Sequence, residues 1–337
     1  MTALRGTLER VVNHIWYERS LFSHLLLPLA AVVRLIVSRR RKSALPKGAT
    51  PEGIKVIIVG GLTVGGTGKT PIVIALGRWL QQRGLRVGVL SRGYRSDVRD
   101  IPRMVSSTDK PSSVGDEPLL IFKALQAPVV VCRDRLRGLD ALTSQASVDV
   151  VLSDDGLQHY PLPRDLEILV LDAERGLGNG RVIPAGPLRE PASRLGSVDW
   201  VLIRNSDDPD RAFTYRIIGV REWSSGRLIP WLDCVAKWRG LSVTAMTGLG
   251  QPMQFFEMLR REGLRVESVA LPDHEPITKA DLGRVSTDLV LITAKDAIKL
   301  SDIEDSQATH RLWVVEIEAA LPSSLLSSLE SVLSPSM

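Results

Sequence analysis

The run Ile57-Ile58-Val59 passes directly into Gly60-Gly61-Leu62-Thr63-Val64-Gly65-Gly66-Thr67-Gly68-Lys69-Thr70, and Pro71 then opens a helical pattern. Strand, glycine-rich loop, Lys-Thr and helix, in that order, specify a phosphate-binding loop at the edge of an α/β sheet. Glycines at 65, 66 and 68 let backbone N–H groups turn inward onto phosphate oxygens, helped by the helix N-terminus. Lys69 is expected to reach the β- and γ-phosphates and Thr70 to ligate Mg²⁺. Thr63, Val64 and Thr67 complete the nucleotide-binding stretch 63–70. The strict pattern G-x-x-x-x-G-K-[ST] has glycine at the position that is Thr63 here.

Short apolar runs alternate with helical stretches from residue 54 onward. Strands are predicted at Val56–Val59, Val87–Leu90, Val129–Val131, Val148–Leu152, Glu167–Leu171 and Trp200–Arg204, with helices over Pro71–Arg83 and Pro118–Leu125. Strands separated in this way indicate a doubly wound parallel sheet. The polar run Asn205–Asp210 marks a boundary. Tyr215–Val220 and Leu232–Ala236 flank a Ser-Ser-Gly turn and read as a two-stranded ribbon. A second alternation follows: Ser242–Met246, helix Pro252–Arg261, then strands Val266–Ala270, Leu289–Thr293 and Leu312–Ile317, with a closing helix at Ser323–Leu333. The expected architecture is a P-loop NTPase-like domain over 51–208, a connector over 209–240 and a smaller α/β domain over 241–337. A helical segment over 1–50 precedes them.

Ser153-Asp154-Asp155-Gly156-Leu157-Gln158-His159 follows the strand Val148–Leu152. A carboxylate at the carboxyl end of a buried parallel strand lies beside the P-loop, where it can hold a metal directly or through water. Asp154 and Asp155 are therefore metal candidates. Gly115-Asp116-Glu117-Pro118 precedes an apolar helix, and both acids would face the positive end of its dipole. Arg92 in Ser91-Arg92-Gly93-Tyr94 and Arg189 in Pro184–Glu190 could meet an anionic substrate. Pro272-Asp273-His274-Glu275-Pro276 reads by itself as a turn.

Charge is unevenly placed. Lys and Arg number 43 against 38 Asp and Glu, a net +5, but residues 1–55 alone carry +7 and the remainder −2. A body that is slightly acidic has no nucleic-acid footprint. The stretch Leu21–Val37 is apolar and is followed at once by Ser38-Arg39-Arg40-Arg41-Lys42. Its uncharged part, residues 20–33, is shorter than the roughly 20 residues a spanning helix needs. It also lacks the layout of a signal peptide. A monotopic anchor fits, with the apolar face in one leaflet and the basic run on anionic headgroups. An ordinary helical hairpin is the alternative. Two isolated cysteines, Cys132 and Cys234, cannot make a disulfide framework and point to a reducing compartment.

TVGGTGKTP at 63–71, SRGY at 91–94, GDEP at 115–118, DDGLQH at 154–159, PAGPLRE at 184–190 and PDH at 272–274 occur in this order behind an apolar, basic-flanked N-terminus. Together they resemble the tetraacyldisaccharide 4′-kinase (lipid A 4′-kinase) family over nearly the whole chain, and Thr63 is shared by that family. Glu275 and the Thr293-Ala294-Lys295-Asp296 element depart from its pattern. The resemblance implies transfer of the γ-phosphate of ATP, with Mg²⁺, to the 4′-hydroxyl of a tetraacylated disaccharide 1-phosphate at the cytoplasmic face of the inner membrane, by a peripheral protein expected to be a monomer. It implies Asp116 as general base paired with His274, and Lys69 as the phosphate lysine. It further implies Thr70, Glu117, Asp154 and Asp155 at the metal, and Arg92, Gln158, His159 and Arg189 toward substrate. The rival reading is a P-loop ATPase or GTPase switch driving a membrane partner. Thr278-Lys279-Ala280-Asp281 matches a guanine-reading [NT]-K-x-D string, although no apolar strand leads into it.

Overall fold

Val56 to Val59 are fully buried, and their side chains alternate between two separate cores. A strand covered on both faces reads as one continuous apolar run, which is why this segment shows no polar alternation. Each such buried Val or Ile contributes about 1.5–3 kcal/mol relative to exposure. The computed structural model describes residues 11–18, 20–43, 51–66, 68–94, 96–98, 101–273, 275–300 and 312–333.

Residues 11–17 form helix α1, followed by α2 (Phe22–Leu25) and α3 (Leu27–Ser43). The first lobe contains β1 (Lys55–Gly60), α4 (Lys69–Gln82), β2 (Val87–Ser91), β3 (Arg103–Met104), α5 (Pro111–Val114) and α6 (Asp116–Leu125). It continues through β4 (Val129–Val131), α7 (Arg135–Gln145), β5 (Val150–Asp154), β6 (Leu166–Asp172) and β7 (Trp200–Arg204). Then come β8 (Ala212–Glu222), β9 (Leu228–Pro230), α8 (Trp231–Trp238), β10 (Ser242–Thr247), α9 (Pro252–Arg261) and β11 (Arg265–Ala270). The described elements end with α10 (Lys279–Gly283), β12 (Val290–Thr293), α11 (Ala294–Ala297), β13 (Leu312–Ala320) and α12 (Ser323–Leu333).

The strands join in the order β11-β10-β12-β13-β8-β7-β6-β1-β5-β2-β4-β3, with β9 paired to β8. From β7 to β4 all pairs are parallel, and so are those from β11 to β13. The long strand β8 joins the halves: its start runs parallel to β7 and its body antiparallel to β13. Helices α4 and α6 cover one face of the first lobe and α7 the other. In the second lobe, α8 and α9 cover one face and α10 the other.

Two local expectations change. The strand expected at Leu232–Ala236 is helix α8, because Pro230 stands at its N-cap and Trp231, Cys234 and Val235 bury one face at helical spacing. The ribbon strand is instead Leu228–Pro230. Helix α12, assigned from sequence to the second domain, buries Leu325 and Leu329 in the core beneath the P-loop strand. Its Ser328 accepts from the Trp200 indole at 3.1 Å, and its Glu330 pairs with Arg83 at 2.6 Å. Among the described residues no helix is long and apolar enough to cross a membrane.

Candidate active site

Strand β1 ends at Gly60, and the loop that follows reaches α4 at Lys69. Val59 is in register with Asp154 on the adjacent β5, so the acidic strand end stands one strand away from the glycine loop. This is the crevice at the carboxyl ends of parallel strands where α/β sheets bind ligands. Gly65 and Gly68 take φ of 107° and 74°, conformations that favour glycine. Thr63 is buried and forms an antiparallel bridge with Leu188, and the Val64 N–H donates to Pro187 O at 2.9 Å. Gly66 O accepts from Gln251 Nε2 at 2.9 Å, and Gly68 O accepts from the Tyr215 hydroxyl at 2.5 Å. Thr70 is buried in the first turn of α4. Thr67 lies outside the described residues.

Lys69 Nζ lies 3.4 Å from Asp155 Oδ1, and Arg189 Nη1 lies 2.8 Å from Asp155 Oδ2. Burial alone would push the Asp155 carboxyl up, but the two cations outweigh it and hold it down at about 2. Asp154 has the opposite fate. Its carboxyl is buried, Oδ1 has no hydrogen-bond partner among the described residues, and burial with the nearby charges of Glu117 and Asp155 pushes it up to about 7. Arg135 lies buried behind it, donating from Nη2 to Asp154 O at 2.6 Å. Burial lowers this guanidinium to about 10, which still leaves it charged at neutral pH.

Asp116 and Glu117 occupy the first turn of α6, after Gly115 at φ 98°. Glu117 Oε1 is 3.2 Å from Lys295 Nζ, and Asp116 Oδ2 is 4.0 Å from Lys299 Nζ. Both lysines come from the turn around α11 in the second lobe, so the two acids lie at the seam between lobes. Burial works against the Lys295 charge, yet Glu117 and Asp116 raise its ionisation above the usual value. Buried Asp296 anchors that turn, accepting from Thr247 Oγ1 at 2.6 Å, the Gly248 N–H at 3.1 Å and Thr293 Oγ1 at 2.6 Å. His274 lies outside the described residues.

Gln158 Nε2 donates to Gly61 O at 3.2 Å and to Glu190 Oε1 at 2.8 Å, while its Oε1 accepts from Arg189 at 3.3 Å. The structure thus places Gln158 in the frame holding Arg189. Among the described residues His159 Nε2 has no hydrogen-bond partner, and burial, then the Arg135 charge, lowers its ionisation to about 4, so the ring is neutral at pH 7. Arg92 is exposed at the end of β2, where its charge is felt by Arg135 and His159. Thr278 caps α10 through a reciprocal Thr278–Asp281 capping box, which accounts for that string as a helix start.

Sequence reasoning did not single out Arg135, Tyr215, Gln251 or Lys299. Their contacts join positions far apart in the chain, and no local pattern marks them. Lys295 was visible only as part of the Thr293–Asp296 element.

Thr70, Asp154 and Glu117 offer oxygen donors of the kind Mg²⁺ takes, and the partnerless Asp154 Oδ1 suits such an ion. Among the described residues, no group of three or more His, Cys, Asp or Glu side chains is gathered for a metal.

The sequence profile of the tetraacyldisaccharide-1-P 4′-kinase family matches residues 22–334. A tetraacyldisaccharide 4′-kinase of Bordetella parapertussis is 40% identical over 334 residues, covering 93% of each chain. One of Pseudomonas aeruginosa is 42% identical over 289 residues, covering 84% of this chain and 86% of the relative. The crystal structure of LpxK from Aquifex aeolicus in complex with ATP superimposes with a TM-score of 0.72 at 26% identity, covering 93% of this chain and all of that one. The chain belongs to the tetraacyldisaccharide-1-P 4′-kinase family and is a kinase.

Proposed function

We propose that the chain transfers the γ-phosphate of ATP to the 4′-hydroxyl of a tetraacylated disaccharide 1-phosphate, with the P-loop as nucleotide seat. The observation that carries this reading is the Lys69–Asp155–Arg189 constellation beside the glycine loop, next to an Asp154 whose buried Oδ1 has no hydrogen-bond partner among the described residues. Phosphoryl transfer needs positioning and charge neutralisation more than covalent chemistry, and this site supplies both. The N–H groups of the P-loop and α4 hold phosphate oxygens, Lys69 meets the β- and γ-phosphates, and Arg189 offers a second cation. Thr70, Glu117, Asp154 and Asp155 would hold Mg²⁺ directly or through water, and the ion would neutralise phosphate charge.

Asp116, partnered by His274, accepts the proton of the attacking hydroxyl. The hydroxyl oxygen forms the new bond to phosphorus, and the bond to the β–γ bridging oxygen breaks, releasing ADP. Asp116 and Glu117 belong to the first lobe, while Lys295 and Lys299 belong to the second. This arrangement supports assembly of the site by closure of the lobes, which excludes water from the reacting phosphate. Arg92, Gln158 and His159 are assigned to the substrate side. The division into 1–50, 51–208, 209–240 and 241–337 belongs to the same proposal, with α12 returning to the first lobe.

The N-terminal segment supports docking on an anionic membrane surface. Leu21 is 81% exposed, Leu25 75% and Leu29 58%, and α3 ends in Arg40, Arg41 and Lys42. An apolar face of this kind, next to a basic end, fits an interfacial helix. The capping role of Thr278 and Asp281 favours a kinase over a guanine-reading switch. The test is incubation with γ-labelled ATP, Mg²⁺ and the disaccharide 1-phosphate in detergent. Label at the 4′ position of the lipid is the expected result. Nucleotide hydrolysis without labelled lipid would contradict the proposal.

A further inference from the structure

The segment between Gly178 and Arg189 touches the N-terminal helix at one end and the P-loop at the other. Trp16 Nε1 donates to Pro184 O at 3.0 Å, and Trp16 O accepts from the Asn179 N–H at 2.8 Å. Asn179 Nδ2 donates both to Ile15 O at 3.1 Å and to Ala185 O at 2.8 Å, so one carboxamide ties helix α1 to the loop. The fit is close: a Cβ on Gly178 would come within 2.7 Å of Trp16 O, and one on Gly186 within 2.1 Å of Asn179 Oδ1. At the far end, the Arg189 N–H donates to Leu62 O at 2.7 Å, the Val64 N–H to Pro187 O at 2.9 Å, and Thr63 bridges Leu188. Arg189 then reaches Asp155, the partner of Lys69.

We propose that Trp16 and Asn179 are positioning residues for the nucleotide. The N-terminal segment then braces the phosphate site through the 178–189 segment, besides offering a docking surface. Its seat on the 178–189 segment sets where Arg189 and the Val64 N–H stand. The contacts are hydrogen bonds between buried or half-buried neutral groups, so losing one shifts the loop without removing a charge from the site. The cost therefore appears in nucleotide affinity, while the acceptor proton transfer at Asp116 keeps its groups.

The test titrates a non-hydrolysable ATP analogue with Mg²⁺ into the full chain in detergent, for the unmodified protein, Trp16→Phe and Asn179→Ala. Partition of each onto phosphatidylglycerol-containing vesicles is measured alongside. Trp16→Phe, which loses one side-chain hydrogen bond, is expected to bind the analogue about 2- to 10-fold more weakly, and Asn179→Ala, which loses those to Ile15 O, Ala185 O and the Arg181 N–H, at least as weakly. KM for ATP should rise by a similar factor with kcat little changed, and vesicle partition should hold. Trp16→Phe keeps an aromatic side chain while removing the indole donor, so it reports even where Asn179→Ala unfolds. Vesicle partition that falls while analogue affinity holds would overturn the inference. The inference rests on the P-loop as nucleotide seat, which Lys69→Ala tests separately. Undiminished analogue binding by Lys69→Ala would overturn both readings. Undiminished binding by Trp16→Phe and Asn179→Ala, beside a Lys69→Ala variant that binds none, would overturn this inference alone.

Discussion

Asp154 and Asp155 follow one another in the chain, yet their carboxyls stand in opposite electrostatic surroundings. Asp154 is buried with one oxygen unpartnered among the described residues and is pushed up to about 7, while Asp155 is held at about 2 between Lys69 and Arg189. On the proposed reading the pair separates two tasks: Asp155, between Lys69 and Arg189, fixes the cations that meet phosphate, and Asp154 is an acceptor for positive charge brought by the ligand.

The raised Asp154 makes stability depend on pH in the nucleotide-free protein. An unfolded Asp titrates near 3.9, so between about pH 4 and 7 the native state binds more protons than the unfolded one. Its contribution is therefore complete below pH 4 and is lost as pH rises through 7. Asp154→Asn removes this loss. Urea unfolding should find the variant more stable than the unmodified chain by a few kcal/mol at pH 8, with the difference vanishing near pH 4. A stability difference that is the same at both pH values would contradict the assignment.

Tyr215 should act on nucleotide affinity through Gly68. Its hydroxyl donates to Gly68 O, and its ring packs edge-on against Phe213 at 5.6 Å. Burial pushes the phenol well above its ordinary range, so the donor persists across the working pH range. Tyr215→Phe keeps the ring and loses the donor. Steady-state kinetics should show KM for ATP rising about 2- to 10-fold with kcat nearly unchanged. A fall in kcat at constant KM would place Tyr215 in the chemistry instead.

The basic end of α3 should set vesicle binding and nothing at the nucleotide. Each Lys or Arg near an anionic surface contributes about 1 kcal/mol, screened by salt. Replacing Arg39, Arg40, Arg41 and Lys42 with Gln should weaken sedimentation with anionic vesicles by at least 100-fold at low salt and flatten its salt dependence. ATP-analogue binding in detergent should stay the same. Equal vesicle binding would reduce the segment to a structural hairpin.

Much of the site was legible because its parts are contiguous in sequence. The P-loop, the Asp154–Asp155 strand end and the Asp116–Glu117 helix start each carry their own backbone signal: glycine at special φ, a buried apolar run, or proline in a first turn. The strands Trp200–Arg204 and Val129–Val131 were also predicted with their observed bounds, being short, mostly apolar runs. Helix α8 was misread because Leu232–Ala236 is too short for apolar residues alone to distinguish helix from strand. The contacts of Arg135 with Asp154, of Lys295 with Glu117 and of Asn179 with α1 were invisible for a different reason. Each depends on which elements the sheet order brings together, and no local pattern encodes that. Helix α12 belongs with these, since its return to the first lobe depends on where β13 leaves it.

The most direct measurement is single-turnover phosphate transfer from ATP to the disaccharide 1-phosphate by the unmodified chain and by Asp116→Asn, both saturated with nucleotide and lipid. Loss of a general base should slow transfer by about 10²- to 10⁴-fold while leaving ATP-analogue affinity unchanged. Transfer by Asp116→Asn at the unmodified rate would contradict the account, because the hydroxyl proton would then leave by a route that the acid at the head of α6 does not supply.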